Sequence, residues 1–175
     1  MRVTTRASRA TTGKRRAALG AKVVGLGLTT ALAVTFAAGP ASAQPGPPSD
    51  SGEQPVEVAG NPTFTTLPTT ITPFDCDRTV KVEPVTAGSF GDDDEVTISN
   101  IGTDNTFDFE ISDDFAAIGV IVKGGPNANL YDYRPTGIQA DQDLHAPLNT
   151  SSAPPDDFYG LSHIDFCLVE DGANT

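Results

Sequence analysis

The chain has 175 residues, enough for one hydrophobic core, and carries 23 acidic against 11 basic side chains, a formal net charge of −12. That balance excludes a nucleic-acid or anionic-lipid surface, because phosphate binding needs clustered Lys and Arg. Two cysteines are too few to build a structural zinc site by themselves.

The N-terminus gathers most of the positive charge in Arg2, Arg6, Arg9, Lys14, Arg15, Arg16 and Lys22. Residues 23–38 are uncharged and mostly apolar, and Gly39-Pro40 and then Ala41-Ser42-Ala43 follow. A basic stretch, an apolar run and a small-x-small triplet predict a secretory signal peptide over 1–43, with cleavage between Ala43 and Gln44. At about 16 residues the apolar run is short for a membrane span of about 20. Gln44 rather than Cys follows the site, and no second apolar stretch appears, so no membrane attachment is expected after cleavage. Only Arg78, Lys81, Lys123 and Arg134 then remain against all 23 acidic residues. Such a surface suits solubility outside the cell and leaves cations, neutral sugars or a basic protein as partners.

Segment 44–61 is dense in Pro, Gly, Ser and acids with little to bury, and is expected to be a disordered linker. Segment 62–73 sets six threonines and three prolines around Phe64, Leu67 and Ile71. It reads as an arm or a first edge strand, where proline is tolerated, and its Thr/Pro composition is that of O-glycosylated segments.

The compact domain is expected over 74–170. Three stretches alternate: Val80 and Val82 against Lys81 and Glu83, Val96 and Ile98 against Thr97 and Ser99, and Phe107, Phe109 and Ile111 against Asp108 and Glu110. Turn residues at 91–94, 102–105 and 112–114 separate them. Residues 116–122 are a continuous β-branched apolar run, too short for a helix, and read as a central strand buried on both faces. Gly124-Gly125-Pro126 turns the chain, and 130–133 returns. Segment 134–159 contains Pro147, Pro154 and Pro155 and no strand pattern, so a long loop is expected, packed over 137–148 and loose over 149–157. The last strand spans 160–170, with Ile164, Phe166 and Leu168 on one face, and 171–175 is a tail. Short strands at this spacing predict an all-β antiparallel β-sandwich, Ig-like or jelly-roll-like. Cys76 and Cys167, an isolated pair in an oxidising compartment, predict one disulfide closing it.

Candidate chemistry is sparse. Ser162, His163 and Asp165 carry the residue types of a hydrolase, but neighbours on a strand face opposite ways, so Ser162 cannot reach His163. His163 and Asp165 share a face and read as a structural pair. The His163 imidazole is expected to hydrogen-bond a backbone group or carboxylate, the 134–159 loop among the candidates, and so to fix that loop against the last strand. Asp92, Asp93, Asp94, Asp104 and Asp108 are oxygen ligands of the kind Ca²⁺ takes, in turns that match no calcium loop and otherwise read as solvated carboxylates. Tyr131 and Tyr133 lie on one face, as sugar-stacking platforms if exposed and core if buried. Asn149-Thr150-Ser151 fits the N-glycosylation sequon.

In order along the chain, Lys123-Gly124-Gly125, Tyr131-Asp132-Tyr133, the stretch Asp143-Leu144-His145-Ala146-Pro147-Leu148-Asn149 and Leu161-Ser162-His163-Ile164-Asp165-Phe166-Cys167 form a set. It resembles a family of secreted bacterial domains with Val-Lys-Gly-Gly, Tyr-x-Tyr, Leu-x-x-Pro and Ile-Ser-His-x-x-Phe-Cys motifs, Leu161 standing for the usual Ile. The resemblance covers about 74–170 and implies an extracellular β domain whose first and last strands are disulfide-linked. Gly124 and Gly125, from their turn, and His163 and Asp165, from their shared face, are read as structural residues. The expectation is therefore a secreted, acidic, monomeric β-sandwich with a structural or binding role, no catalysis and no cofactor. The alternatives are a calcium-dependent extracellular module for glycan or a cell-surface protein and, at lower weight, an exported hydrolase.

Overall fold

Alternating side chains set most of the strands and also decide which face of each is buried. A computed structural model describes residues 45–151 and 157–170. The expected signal peptide and tail lie outside them, as does Gln44. The described strands are β1 (Val56–Ala59), β2 (Arg78–Val82), β3 (Gly88–Phe90), β4 (Val96–Ser99), β5 (Thr106–Ile111), β6 (Phe115–Gly124), β7 (Asn127–Asp132), β8 (Ala140–His145) and β9 (Leu161–Glu170). They form two antiparallel sheets, one ordered β1-β7-β6-β9-β2 and the other β3-β4-β5-β8. The predicted all-β sandwich is the fold. No helix of the described residues is long and apolar enough to cross a membrane.

Between the sheets lie Val80, Val82, Val120, Val122, Ile164, Phe166 and Leu168 from one and Val96, Ile98, Phe107, Phe109, Ile111 and Leu144 from the other. Phe109 meets Phe166 edge-to-face across the core at 5.3 Å between ring centres. Full burial of each such side chain contributes about 1.5–3 kcal/mol. The 116–122 run lies within β6, buried on both faces as its composition predicts, because a second apolar cluster covers the back of the five-stranded sheet. The β6–β7 hairpin turns on Gly125 and Pro126, between the paired Gly124 and Asn127. Gly125 has φ +57°, a conformation that a side chain would oppose.

Cys76 and Cys167 are bonded, with Cα atoms 5.2 Å apart across a sequence separation of 91. Closing a loop of this length restricts the unfolded chain by about 4–5 kcal/mol at most.

Two expectations are corrected, and the choice left open for segment 62–73 is resolved. The described part of the expected disordered linker, 45–61, is built into the domain: β1 forms an edge of the five-stranded sheet on β7, and Ser49 is buried. Composition missed this because backbone pairing and polar anchors hold most of the segment, with Val58 its member of the apolar cluster behind the sheet. Segment 62–73 is an arm without strand, wrapped on the back of the sheet through Phe64, Leu67 and Ile71. Segment 134–159, expected to be strandless, contains β8, hidden by a bulge where two residues oppose Asp108 and Asp143 takes φ +59°.

Candidate functional site

The densest buried polar cluster lies along the rim where β7 and β8 approach each other from opposite sheets. On β7 the alternation that sends Ala128 and Leu130 to the back sends Asn129 and Tyr131 inward, and Tyr133, just past the strand, follows them. On β8 the bulge resets the alternation, so Asp141 opposes Phe109 and Leu144 opposes Phe107, and both face the core. His145 follows at the end of the strand, 1% exposed.

A strap formed by residues 45–52 seals this seam. Asp50 N–H donates to the Gln142 carbonyl at 3.0 Å, pairing the strap with β8. Asn129 Nδ2 donates to the carbonyls of Pro45 (2.8 Å) and His145 (3.0 Å). The Tyr131 hydroxyl donates to the His145 carbonyl at 3.2 Å and accepts from the His145 amide at 3.0 Å. The His145 ring nitrogens face the carbonyls of Ala146 (2.8 Å, Nδ1) and Pro47 (3.0 Å, Nε2), and its ring stacks on Phe158 at 3.8 Å. Gly46 passes so close to this imidazole that a Cβ would lie 2.5 Å from Cε1.

Asp141 is the second anchor. Its Oδ2 accepts from the hydroxyls of Tyr133 (2.6 Å) and Ser51 (2.8 Å), and its Oδ1 from the amides of Ser51 (2.9 Å) and Gln142 (2.8 Å). Burial alone would raise its pKa, but the donors on Ser49, Tyr133 and Ser51 outweigh it and hold the carboxyl below the usual carboxylate range. Burial, reinforced at Tyr133 by the Asp141 charge, pushes both tyrosine hydroxyls well above their ordinary range. Burial pushes the His145 imidazole down, against the pull of the two carbonyls. Each carboxylate and hydroxyl of the seam thus already serves a contact within the chain. Its chemistry is that of a fastening.

Tyr131 and Tyr133, flagged as ligand contacts if exposed, are this buried pair, and they belong to the core. His163 and Asp165 stand on the other face of the five-stranded sheet, with Nε2 and Oδ2 3.7 Å apart. Burial lowers the His163 pKa and raises that of Asp165. They pair in register with Lys123 on β6 and Lys81 on β2. Ser162 is exposed beside them, and no clasp from His163 to the 134–159 loop is formed among the described residues. The histidine that clasps distant segments is His145, which joins β8 to the strap at Pro47 and stacks on Phe158. Its sequence signal was weak because its partners Pro47 and Asn129 lie far away in the chain.

The structure separates the acidic residues flagged for Ca²⁺. Asp92, Asp93 and Asp94 occupy the turn before β4, whereas Asp104 and Asp108 belong to the turn and strand after it, at the opposite end. Asp104 accepts from the Thr106 hydroxyl (2.9 Å) and amide (3.3 Å), which lower its pKa. Asp108 accepts from Asn100 Nδ2 at 2.6 Å and the Asp143 amide at 3.1 Å. Arg78 bridges Asp93, at 3.3 Å, and the buried Glu95. Among the described residues no three or more His, Cys, Asp or Glu side chains converge as a metal ion requires. At the β6–β7 turn, Gly124 lies against Ala146 and Gly125 against the Tyr159 ring, with no room for a side chain at either. Comparison with protein-family models, with curated proteins and with solved structures finds no match for this chain.

Proposed function

We propose that the protein is exported, cleaved between Ala43 and Gln44, and acts outside the cell as a structural or binding β-sandwich without catalysis. The observation that carries this reading is the sealed seam: Asp141 and His145 hold residues 45–52 through Ser51 and Pro47, and the hydroxyls of Tyr133 and Tyr131 are engaged behind them. The Cys76–Cys167 bond fits an oxidising compartment, and the motif resemblance to secreted bacterial β domains points the same way. The test is a thermal-shift screen of the exported protein against glycans and divalent cations, beside a panel of ester, phosphoester and glycoside substrates. Turnover that disappears in His163→Ala would overturn the non-catalytic reading.

A second reading, a calcium-dependent module for glycan or cell-surface protein, draws on the acidic end of the sandwich. There a cleft of about 380 Å³ is lined by Asp94, Glu110 and Asp113, whose carboxylates do not converge as they stand and would have to be drawn together by an ion. A calcium-dependent rise in melting temperature, lost in Asp94→Asn with Asp113→Asn, separates it from the first.

A further inference from the structure

The arm 62–73 and the adjoining Phe74 carry no charged side chain in a chain otherwise crowded with acids. The arm holds to the back of the five-stranded sheet by its apolar residues: Phe64 is buried, Leu67, Ile71 and Phe74 are partly buried, and Phe64 and Phe74 meet edge-to-face at 5.1 Å. All six threonines face solvent. The structure divides them into two sets.

Thr63, Thr65 and Thr66 are tied to one another. The hydroxyl of Thr63 lies 3.0 Å from those of both Thr65 and Thr66, and Thr66 Oγ1 accepts the Thr63 amide at 2.8 Å. These hydroxyls lock the turn that seats Phe64. The hydroxyls of Thr69, Thr70 and Thr72, in contrast, make no hydrogen bond among the described residues. The Ile71 amide donates to the Pro68 carbonyl at 2.9 Å, which puts Thr69 and Thr70 in the two central positions of a projecting turn. Thr72 precedes Pro73 and is therefore biased to extended backbone. Its carbonyl and that of Pro73 are each held by Arg134 Nη1 at 3.1 Å, while its hydroxyl points free. The backbone of Pro68-Thr69-Thr70-Ile71-Thr72-Pro73 is thus fixed at both ends, with three unengaged hydroxyls outward.

We propose that Thr69, Thr70 and Thr72 are O-glycosylation sites, acceptors for a sugar carried on a nucleotide or lipid phosphate. In the transfer, threonine Oγ bonds to the anomeric carbon, the bond from that carbon to the phosphate oxygen breaks, and the phosphate carrier leaves with the electron pair. The hydroxyl proton passes to a base of the transferase. Composition marks the whole Thr/Pro tract; the hydrogen bonding selects three threonines from six. Attachment at Thr63, Thr65 or Thr66 would break hydrogen bonds of the turn beneath Phe64, whereas attachment at Thr69, Thr70 or Thr72 breaks none among the described residues.

The inference rests on the export reading, and one experiment separates the two. Protein is collected from the culture medium of the source cells, its intact mass is read, and its sugars are mapped by peptide fragmentation, for wild type and for Thr69→Ala/Thr70→Ala/Thr72→Ala. The expected wild type begins at Gln44 and exceeds its sequence mass by whole sugar residues on Thr69, Thr70 or Thr72. The triple variant should be exported at its bare sequence mass. Export and cleavage with no added mass, or sugars confined to Thr63, Thr65, Thr66 or Asn149, would overturn the site while leaving the export reading intact. A chain that stays in the cell with residues 1–43 attached would overturn both.

Discussion

The two histidines look equivalent in the sequence and differ in the fold. His145 stacks on Phe158 and faces the Pro47 carbonyl, so His145→Ala removes a packed ring and one end of the strap. We expect it to cost about 2–3 kcal/mol in urea melts, within the range for losing a buried hydrogen-bonding group. His163, whose nearest charged partner is Asp165 at 3.7 Å, should cost less when replaced by Ala. A larger loss at His163 than at His145 would contradict the assignment of the seam as the structural clasp. Both imidazoles are pushed below their ordinary 6.5 by burial, so the unfolded chain takes up protons first as pH falls. Stability should therefore be full above about pH 6.5 and decline below it, His145 contributing a slope of at most about 1.4 kcal/mol per pH unit. Asp165, raised above its ordinary 3.8 by burial, acts in the opposite sense at lower pH because it takes its proton first in the folded state. Melts between about pH 7 and about pH 5 should be flatter in His145→Gln than in wild type.

At the scale of elements, legibility followed the distance to the partner. The β6–β7 hairpin could be read from its sequence because the apolar run, Gly125 and the returning tyrosines are neighbours. The alternating strands β2, β4 and β5 were equally plain, since period two is a local signal. The strap was hidden because the groups that order it are remote: Ser51 and Asp141 are 90 positions apart. A segment of Pro, Gly and Ser has no local reason to be ordered, and it is ordered here by hydrogen bonds to a rim that the sequence does not announce. β8 was hidden differently, since the left-handed Asp143 breaks the alternation that would have revealed it. β3, three residues long, was too short to carry a pattern. For the strap, the decisive variant is Gly46→Val. It adds a side chain at φ +98° directly against His145 and should cost about 1–3 kcal/mol. Hydrogen exchange should localise the effect: the Asp50 and Ser51 amides should lose protection while β6 and β9 keep theirs. Uniform loss of protection would mean that strap and core are one cooperative unit.

At the scale of the whole molecule, the disulfide and the sheet order are linked. Cys167 lies in β9, whose neighbours are β6 and β2, and Cys76 lies just before β2. Reduction should lower the unfolding free energy by up to about 4–5 kcal/mol, measured as the difference between urea melts with and without reductant. An unchanged midpoint would show that the unfolded chain is not restricted by the bond. The order of strands has a further consequence. Within its sheet β2 pairs only with β9, and β9 is the last of the described strands along the chain. Until Leu161–Glu170 arrive, β2 has no neighbour in its own sheet, β6 presents a bare edge, and Cys76 has no thiol to meet. If the chain is exported as proposed, a chain passed amino end first through a narrow channel could assemble β3-β4-β5-β8 on the far side but could not close the five-stranded sheet while Leu161–Glu170 were still inside. On that reading β9 would act as a timer, postponing closure of its sheet and of the disulfide until it has passed.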